Sequence, residues 1–167
     1  NSATIFNPSA QPYGKSHAEW GQEFWKANLA LSCEEAFSFL ALPLGQNVVT
    51  LAGPLGEFTE YVTVSRHQSI FLPLVTSIYD YPCPDPEFEP APGQTLEEFL
   101  QEGVSSLIDM VENLHVELDG VSLGDMEEYR ALSDLFYFTG NPELAECYDP
   151  CFTGESQPGV TDGYWIM

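Results

Sequence analysis

A run of acidic residues in the middle of the chain has the residue types that bind a metal ion. Four carboxylates fall within ten residues, at Asp80, Asp85, Glu87 and Glu89. Carboxylate oxygens are the ligands that Ca²⁺ prefers in proteins, so this spacing favours a calcium site, and calcium is the one cofactor that the sequence suggests. The run lacks the central glycine and the final bidentate glutamate of an EF-hand loop, so a solvated acidic loop is the competing interpretation.

The sequence carries no motif of nucleophilic catalysis. No serine lies in a Gly-x-Ser-x-Gly turn, and His17, His67 and His115 lie far from one another and from every cysteine. With 26 acidic residues some carboxylate pair is inevitable, so pairing alone does not identify a glycosidase. We therefore predict no catalytic residue, and the sequence favours a protein that is not an enzyme.

The four cysteines are typical of disulfide bonds. Cys33, Cys83, Cys147 and Cys151 lie in loop-like surroundings and lack the CxxC pair of a structural zinc site. An even number of such cysteines indicates an oxidising compartment, so we predict a secreted protein, either extracellular or periplasmic. A bridge between Cys147 and Cys151 would leave Cys33 and Cys83 as the second pair, and the crossed pairings stay open.

The charge of the chain restricts its partners. Its 167 residues include 26 Asp+Glu and only 4 Lys+Arg, for a formal net charge of -22. Such a chain repels phosphate backbones and anionic lipid surfaces, which excludes nucleic-acid binding. No apolar run approaches the roughly 18 residues of a membrane-spanning helix, so no membrane insertion is predicted. Fourteen of the acids lie between Asp80 and Glu128, where there is no Lys or Arg, which predicts a strongly negative face that attracts cationic partners.

Capping boxes and hydrophobic periodicity predict the elements that position these residues. Boxes that begin at Ser16, Ser32 and Thr95 each place a Glu three residues later and predict helix starts. The last predicts a helix from Thr95 to about Leu114 with one apolar face, formed by Leu100, Val104, Leu107, Ile108 and Val111. β-prone runs cover residues 48–52, 61–65, 69–76, 135–138 and 164–167, with a hairpin over 115–123 and a loop over 140–159.

The order of these elements predicts the fold class and the domain organisation. Helices and strands that follow one another in blocks indicate an α+β fold, with an antiparallel sheet or β-sandwich and two main amphipathic helices packed on it. Residues 1–15 are predicted to form an extended N-terminal arm, and residues 16–167 a single α+β domain, which suits a chain long enough for one core.

Several short segments of the sequence resemble segments of a family of secreted bacterial proteins. They are Gly14-Lys-Ser-His-Ala-Glu-Trp20 with Trp25, Leu51-Ala-Gly53, Val64-Ser65, Ser69-Ile-Phe-Leu-Pro73, Leu118-Asp-Gly-Val121, Tyr129-Arg130 with Ser133 and Phe136, and Asp162-Gly-Tyr-Trp165. Members of that family have a signal peptide, a Trp-rich first helix and a late "DGyy" strand, and they have no assigned activity. Here His67-Gln68 replaces their Gly-Lys turn. Because members continue into a last hairpin, the resemblance implies a domain that lacks its final hairpin.

Two functions from different classes follow from these observations. The first is a secreted, non-catalytic surface, filament or ligand-binding protein with a strongly acidic face; the sequence does not specify a small-molecule ligand. Self-assembly would proceed through strand edges, with Thr4, Ile5 and Phe6 of the arm adding to an open edge near Trp165. The alternative is a secreted hydrolase that uses carboxylates or a divalent cation in the acidic half. A concave pocket where two acids converge would favour the alternative, and an unpaired sheet edge on a smooth acidic surface would favour the first.

Overall fold

The computed structural model describes residues 4–53, 57 and 59–167 and shows a mixed α+β fold. Its helices are α1 (His17–Asn28), α2 (Cys33–Ala36), α3 (Leu96–Ile108) and α4 (Leu144–Cys147). Its strands are β1 (Leu40–Pro43), β2 (Val48–Ala52), β3 (Ser69–Asp80), β4 (Glu117–Leu118), β5 (Val121–Ser122), β6 (Phe136–Thr139) and β7 (Ser156–Ile166). All three predicted capping boxes form, at the starts of α1, α2 and α3.

Five strands form the main sheet, in the order β1-β2-β3-β7-β6. Every neighbouring pair is antiparallel except β2 and β3, which run parallel over Val48–Thr50 and Ser69–Phe71. The prediction of an α+β fold is confirmed, with a mixed sheet in place of a wholly antiparallel one. The second sheet among the described residues is the small β4-β5 hairpin, which turns at Asp119-Gly120 as the sequence predicts.

Helices α1 and α3 cover opposite faces of the sheet, and strand β7 lies between them. Gly21 of α1 packs against the rings and methyl groups of Trp165 and Thr161. The even-numbered residues of β7 point the other way: Val160 clusters with Leu100 and Val104 of α3, and Tyr164 with Ile108. Because both faces of β7 are covered, every residue from 159 to 167 is buried.

Four consecutive residues of β7, Asp162-Gly-Tyr-Trp165, each make a different contact with a neighbouring part of the fold. Asp162 is fully buried and accepts hydrogen bonds from the Arg130 guanidinium at 2.6 and 3.1 Å. A Cβ on Gly163 would lie 2.6 Å from the Val75 carbonyl, so only glycine permits this approach of β3. The Tyr164 hydroxyl donates to Glu127 at 2.8 Å, and Trp165 stacks on Phe71 with ring centroids 5.1 Å apart.

Helix α3 buries the predicted apolar face with one exception. Leu100, Val104 and Ile108 are almost entirely buried against the sheet. Leu107 is 38% exposed, so its predicted place in the core is wrong. The helix ends at Ile108, so its predicted end near Leu114 is wrong; Val111 lies outside the helix but is half-buried against the cluster that contains Ile108.

Two further sequence predictions differ from the structure. Residues 61–65, predicted as a strand, pair with no strand among the described residues; Tyr61 is 96% exposed. The predicted loop over 140–159 instead contains α4 and the start of β7. No helix within the described ranges is long and apolar enough to cross a membrane.

Both disulfide bonds form, and their pairing is the crossed one. Cys33 bonds to Cys147, with Cα atoms 6.2 Å apart, and Cys83 bonds to Cys151. The local Cys147–Cys151 bridge and its complement Cys33–Cys83 are therefore wrong. Cys147 ends helix α4 beside the start of α2, whereas Cys151 lies in the following turn beside the segment after β3, so the two sulfurs point to different parts of the fold.

Candidate functional site

A cavity of about 360 Å³ lies along the second half of β3. Five consecutive strand residues, 76–80, line it. The cavity has two walls, one on each face of the sheet. The wall on the α1 face is formed by Trp25, Tyr148, Asp149 and Phe152. The wall on the α3 face is formed by Phe88 and Leu107. We call this cavity, with the strand edge at its base, the β3 groove.

The base of the groove is an unpaired strand edge. Strand β2 pairs with β3 only as far as Phe71. On the opposite side, Thr161 and Gly163 of β7 accept from the amides of Ser133 and Ala131, so their backbone groups point away from β3. Ile78 and Thr76 are the cross-strand partners of these two residues. Their backbone N–H and C=O groups must then point away from β7, because the directions of these groups alternate along an antiparallel ladder. Among the described residues no strand lies on that side of Thr76 and Ile78.

Asp80 closes the acidic end of the groove and is only 5% exposed. One of its oxygens, Oδ2, accepts a hydrogen bond from the Gln157 side-chain amide. That amide is itself fixed: it also donates to the Cys151 carbonyl at 3.1 Å, and its oxygen accepts from the Thr153 backbone N–H at 2.9 Å. The position of the Asp80 carboxyl is therefore set by a hydrogen bond to an amide group that other hydrogen bonds hold in place.

A second carboxylate, Asp149, shares the groove with Asp80. Burial, with repulsion from Asp149 as the smaller cause, raises the pKa of Asp80 from 3.8 to about 7, against the opposing effect of the Gln157 hydrogen bond. Asp149 accepts from the Cys151 backbone N–H at 2.9 Å, which holds it on the turn before β7. At neutral pH the groove thus contains one carboxyl close to its titration point, beside a second acidic side chain.

Aromatic rings form most of the wall on the α1 side. The Trp25 indole N–H donates to the Thr76 hydroxyl at 3.2 Å, which fixes the ring against β3. Tyr148 and Phe152 pack with centroids 5.9 Å apart, and Tyr148 also contacts the exposed Phe37. The Cys83–Cys151 disulfide joins the segment after β3 to the same turn, so it holds the two sides of the acidic end together.

The structure separates the four predicted calcium ligands. Asp80 faces Gln157 inside the protein, whereas Asp85, Glu87 and Glu89 lie exposed on the proline-rich loop. Asp85 accepts from the Glu87 backbone and Glu89 from the Tyr81 hydroxyl. No three of them bring ligand atoms within 4.8 Å of one another. The described residues that do so are Cys83, Asp149 and Cys151, but both sulfurs are in a disulfide and offer no thiolate.

The residues predicted to assemble lie against their own domain. The Phe6 backbone N–H donates to the Met167 carbonyl at 2.8 Å, and Ile5 packs beside Ile108 and Tyr164. Thr4 is exposed. Trp165 is entirely buried, so its side chain is not available at an open edge. Among the described residues, the second half of β3 also has an open edge, in a different part of the sheet.

Comparison of the chain with protein-family models, with curated proteins and with solved structures finds no match in any of the three. The site therefore has to be interpreted from its own geometry. Sequence reasoning missed Asp149, Gln157 and Trp25 as site residues. The signal that could have found Asp149 is its place between two cysteines, because a turn held by disulfides has a fixed position.

Proposed function

We propose that this protein is a non-catalytic binding protein that holds a cationic, partly apolar ligand in the β3 groove. The observation that carries the proposal is the meeting of two carboxyl groups with an aromatic wall in one cavity. Ligand pockets generally combine apolar walls with a few polar groups that fix orientation. At about 360 Å³ the groove is near the lower end of the usual range, so it suits one side chain or a small molecule.

The charge of the ligand follows from the electrostatics of the groove. With a net charge of -22, the protein repels anions at long range and attracts cations. Within the groove a cation near Asp80 favours the ionised carboxylate and offsets the repulsion from Asp149. Asp80 then loses its proton on binding, so the affinity for a cation should rise as the pH increases through about 7.

A matched pair of probes tests the proposal. Phenethylamine carries a ring and an ammonium group, and phenethyl alcohol has nearly the same shape without the charge. We expect the amine to bind about tenfold or more tightly than the alcohol, the difference that a charged hydrogen bond usually makes. Asp149→Asn should remove most of this preference. Glu128→Gln, the same charge change at an exposed position near the far side of β7, is the control.

Titration followed by NMR gives the affinity and the residues that shift. Equal affinity for the amine and the alcohol would contradict the proposal. So would an equal loss in Asp149→Asn and Glu128→Gln, because that would show attraction by net charge alone. Raising the salt concentration separates the two effects further, since long-range attraction is screened more strongly than a half-buried contact.

Secretion is part of the proposal. Two disulfides form and persist in oxidising compartments, which supports an extracellular or periplasmic protein. The resemblance to secreted bacterial proteins points in the same direction. Cell fractionation with a tagged chain would test this: recovery of the oxidised protein only in the cytosol would contradict it.

Acid–base hydrolysis is the second candidate function, favoured by the two carboxyls of the groove. Asp80, with a pKa of about 7, would donate a proton to the leaving group, and Asp149 would activate water. The Gln157 contact and the 5% exposure of Asp80 argue for binding first, since a general acid must reach its substrate. Release of nitrophenol from nitrophenyl glycosides should be lost in both Asp80→Asn and Asp149→Asn. Release that survives both substitutions, or no release by the wild type, would contradict this candidate.

A further inference from the structure

The β3 groove is open along a strand edge, which a pocket for a compact small molecule would not need. Thr76 and Ile78 direct their N–H and C=O groups into it, and the parallel pairing with β2 has already ended at Phe71. Unpaired backbone groups on a strand edge are a template for another strand, and natural proteins usually cover them. Here the described residues leave the edge uncovered between two side-chain walls.

From this geometry we infer that the ligand is an extended peptide segment with a lysine or arginine, which adds to β3 as a new edge strand. The inference rests on the proposed function and names the class of ligand. Main-chain hydrogen bonds to Thr76 and Ile78 hold the peptide backbone, as in other cases of strand addition. The basic side chain enters the cavity and reaches Asp149, beside the buried Asp80.

The two walls explain which side chains such a peptide needs. Successive residues of a strand point to opposite faces, so an added strand presents its side chains alternately to the two walls. One set meets Trp25, Phe152 and the two carboxyls, and the other meets Leu107 and Phe88. The 38% exposure of Leu107, unexpected for the apolar stripe of α3, provides apolar surface on this second wall.

Charge decides between a foreign basic peptide and a second copy of this chain. Residues 59–65 are β-prone and, apart from the half-buried Val64, exposed, so they are a candidate to add to the edge of a neighbouring molecule. Each copy carries a net charge of -22, however, and the segment brings Glu60 and no Lys, so two copies repel at close approach. A basic segment is attracted by the same charge and by the acidic end of the groove.

Three short peptides test the inference. The first is acetyl-Val-Thr-Lys-Thr-Val-amide; the second is the same peptide with N-methyl groups on alternate backbone nitrogens, and the third replaces its Lys by norleucine. We expect the first to slow hydrogen exchange at the Thr76 and Ile78 amides by about tenfold or more at saturation. The N-methylated and norleucine peptides should each bind at least about tenfold more weakly, because each loses a different kind of hydrogen bond.

The outcomes separate this inference from the proposed function. Equal affinity of the first peptide and its N-methylated form, or unchanged exchange at Thr76 and Ile78, overturns strand addition. If phenethylamine still binds and depends on Asp149 in that case, the proposed function stands without it. Failure of both phenethylamine and the lysine peptide overturns both. Tight binding of a peptide with the sequence of residues 59–65 in place of the basic one would overturn the inference in favour of self-assembly.

Discussion

Replacing Asp80 by Asn has a calculable effect on stability. In the folded protein burial and Asp149 raise the pKa of Asp80 to about 7, whereas in the unfolded chain it is near 3.8. Between these values the folded state binds more protons than the unfolded state, so the free energy of unfolding falls as the pH rises. One pKa unit corresponds to about 1.4 kcal/mol, and the whole interval therefore amounts to about 4 kcal/mol.

The Asn side chain has the same shape but cannot ionise, so it does not lose this stability. The difference between Asp80→Asn and the wild type should therefore be small near about pH 4 and should grow to about 4 kcal/mol in favour of the variant by about pH 8. A change in the hydrogen bond to Gln157 would shift the difference by the same amount at every pH. The pH dependence is thus the informative quantity.

Urea unfolding with the disulfides intact, followed by tryptophan fluorescence, provides the measurement. Asp149→Asn removes the repulsion that helps to raise the pKa of Asp80, so it should stabilise in the same direction and by less. Glu128→Gln, at an exposed position, should leave the pH dependence unchanged. A difference between Asp80→Asn and the wild type that is flat with pH, or that opens towards acid, would refute the reasoning.

Four further substitutions probe the packing of the fold, each measured as a free energy of unfolding at neutral pH. Asp162→Asn replaces the buried carboxylate that accepts from the half-buried Arg130 guanidinium, which keeps Asp109 as a partner, and should cost about 1.5–3 kcal/mol, the range for a hydrogen bond to a charged group; a cost near zero would show that this ion pair is dispensable. Leu100→Ala should cost about 2–5 kcal/mol, whereas Leu107→Ala should cost far less, and equal costs would contradict the observed exposure. Gly163→Ala should destabilise, because its Cβ would lie 2.6 Å from the Val75 carbonyl; an unchanged free energy would mean that β3 and β7 can move apart.

The local elements were predictable because their signals are local. Each capping box needs a hydroxyl and a carboxylate three residues apart, and the Asp119-Gly120 turn needs two residues that tolerate positive φ. Strand β7 is different. Its position between two helices buries both faces, so it has no alternating pattern from which its length could be predicted.

The site was less predictable because it depends on contacts between distant residues. Asp80 appears in the sequence as one acid among four, and only the fold separates it from the loop and places it beside Gln157, 77 residues away. The pairing of the cysteines likewise depends on which way α4 directs Cys147. Residues 61–65 show the reverse case, since a β-prone pattern forms a strand only when a neighbouring strand is there to pair with it.

The crossed disulfides hold the chain together after a single cut. The cysteines follow one another in the order Cys33, Cys83, Cys147, Cys151, and the first bonds to the third and the second to the fourth. The segment closed by each bridge therefore contains one cysteine of the other bridge. A protease that hydrolyses any one peptide bond between Cys33 and Cys151 therefore leaves both fragments joined by at least one disulfide. Exposed loops are where proteases usually cut, and the exposed positions near residue 61 and around Asp85 both lie inside this interval. A nicked molecule would thus keep all its parts together, an advantage in the secreted location that we propose.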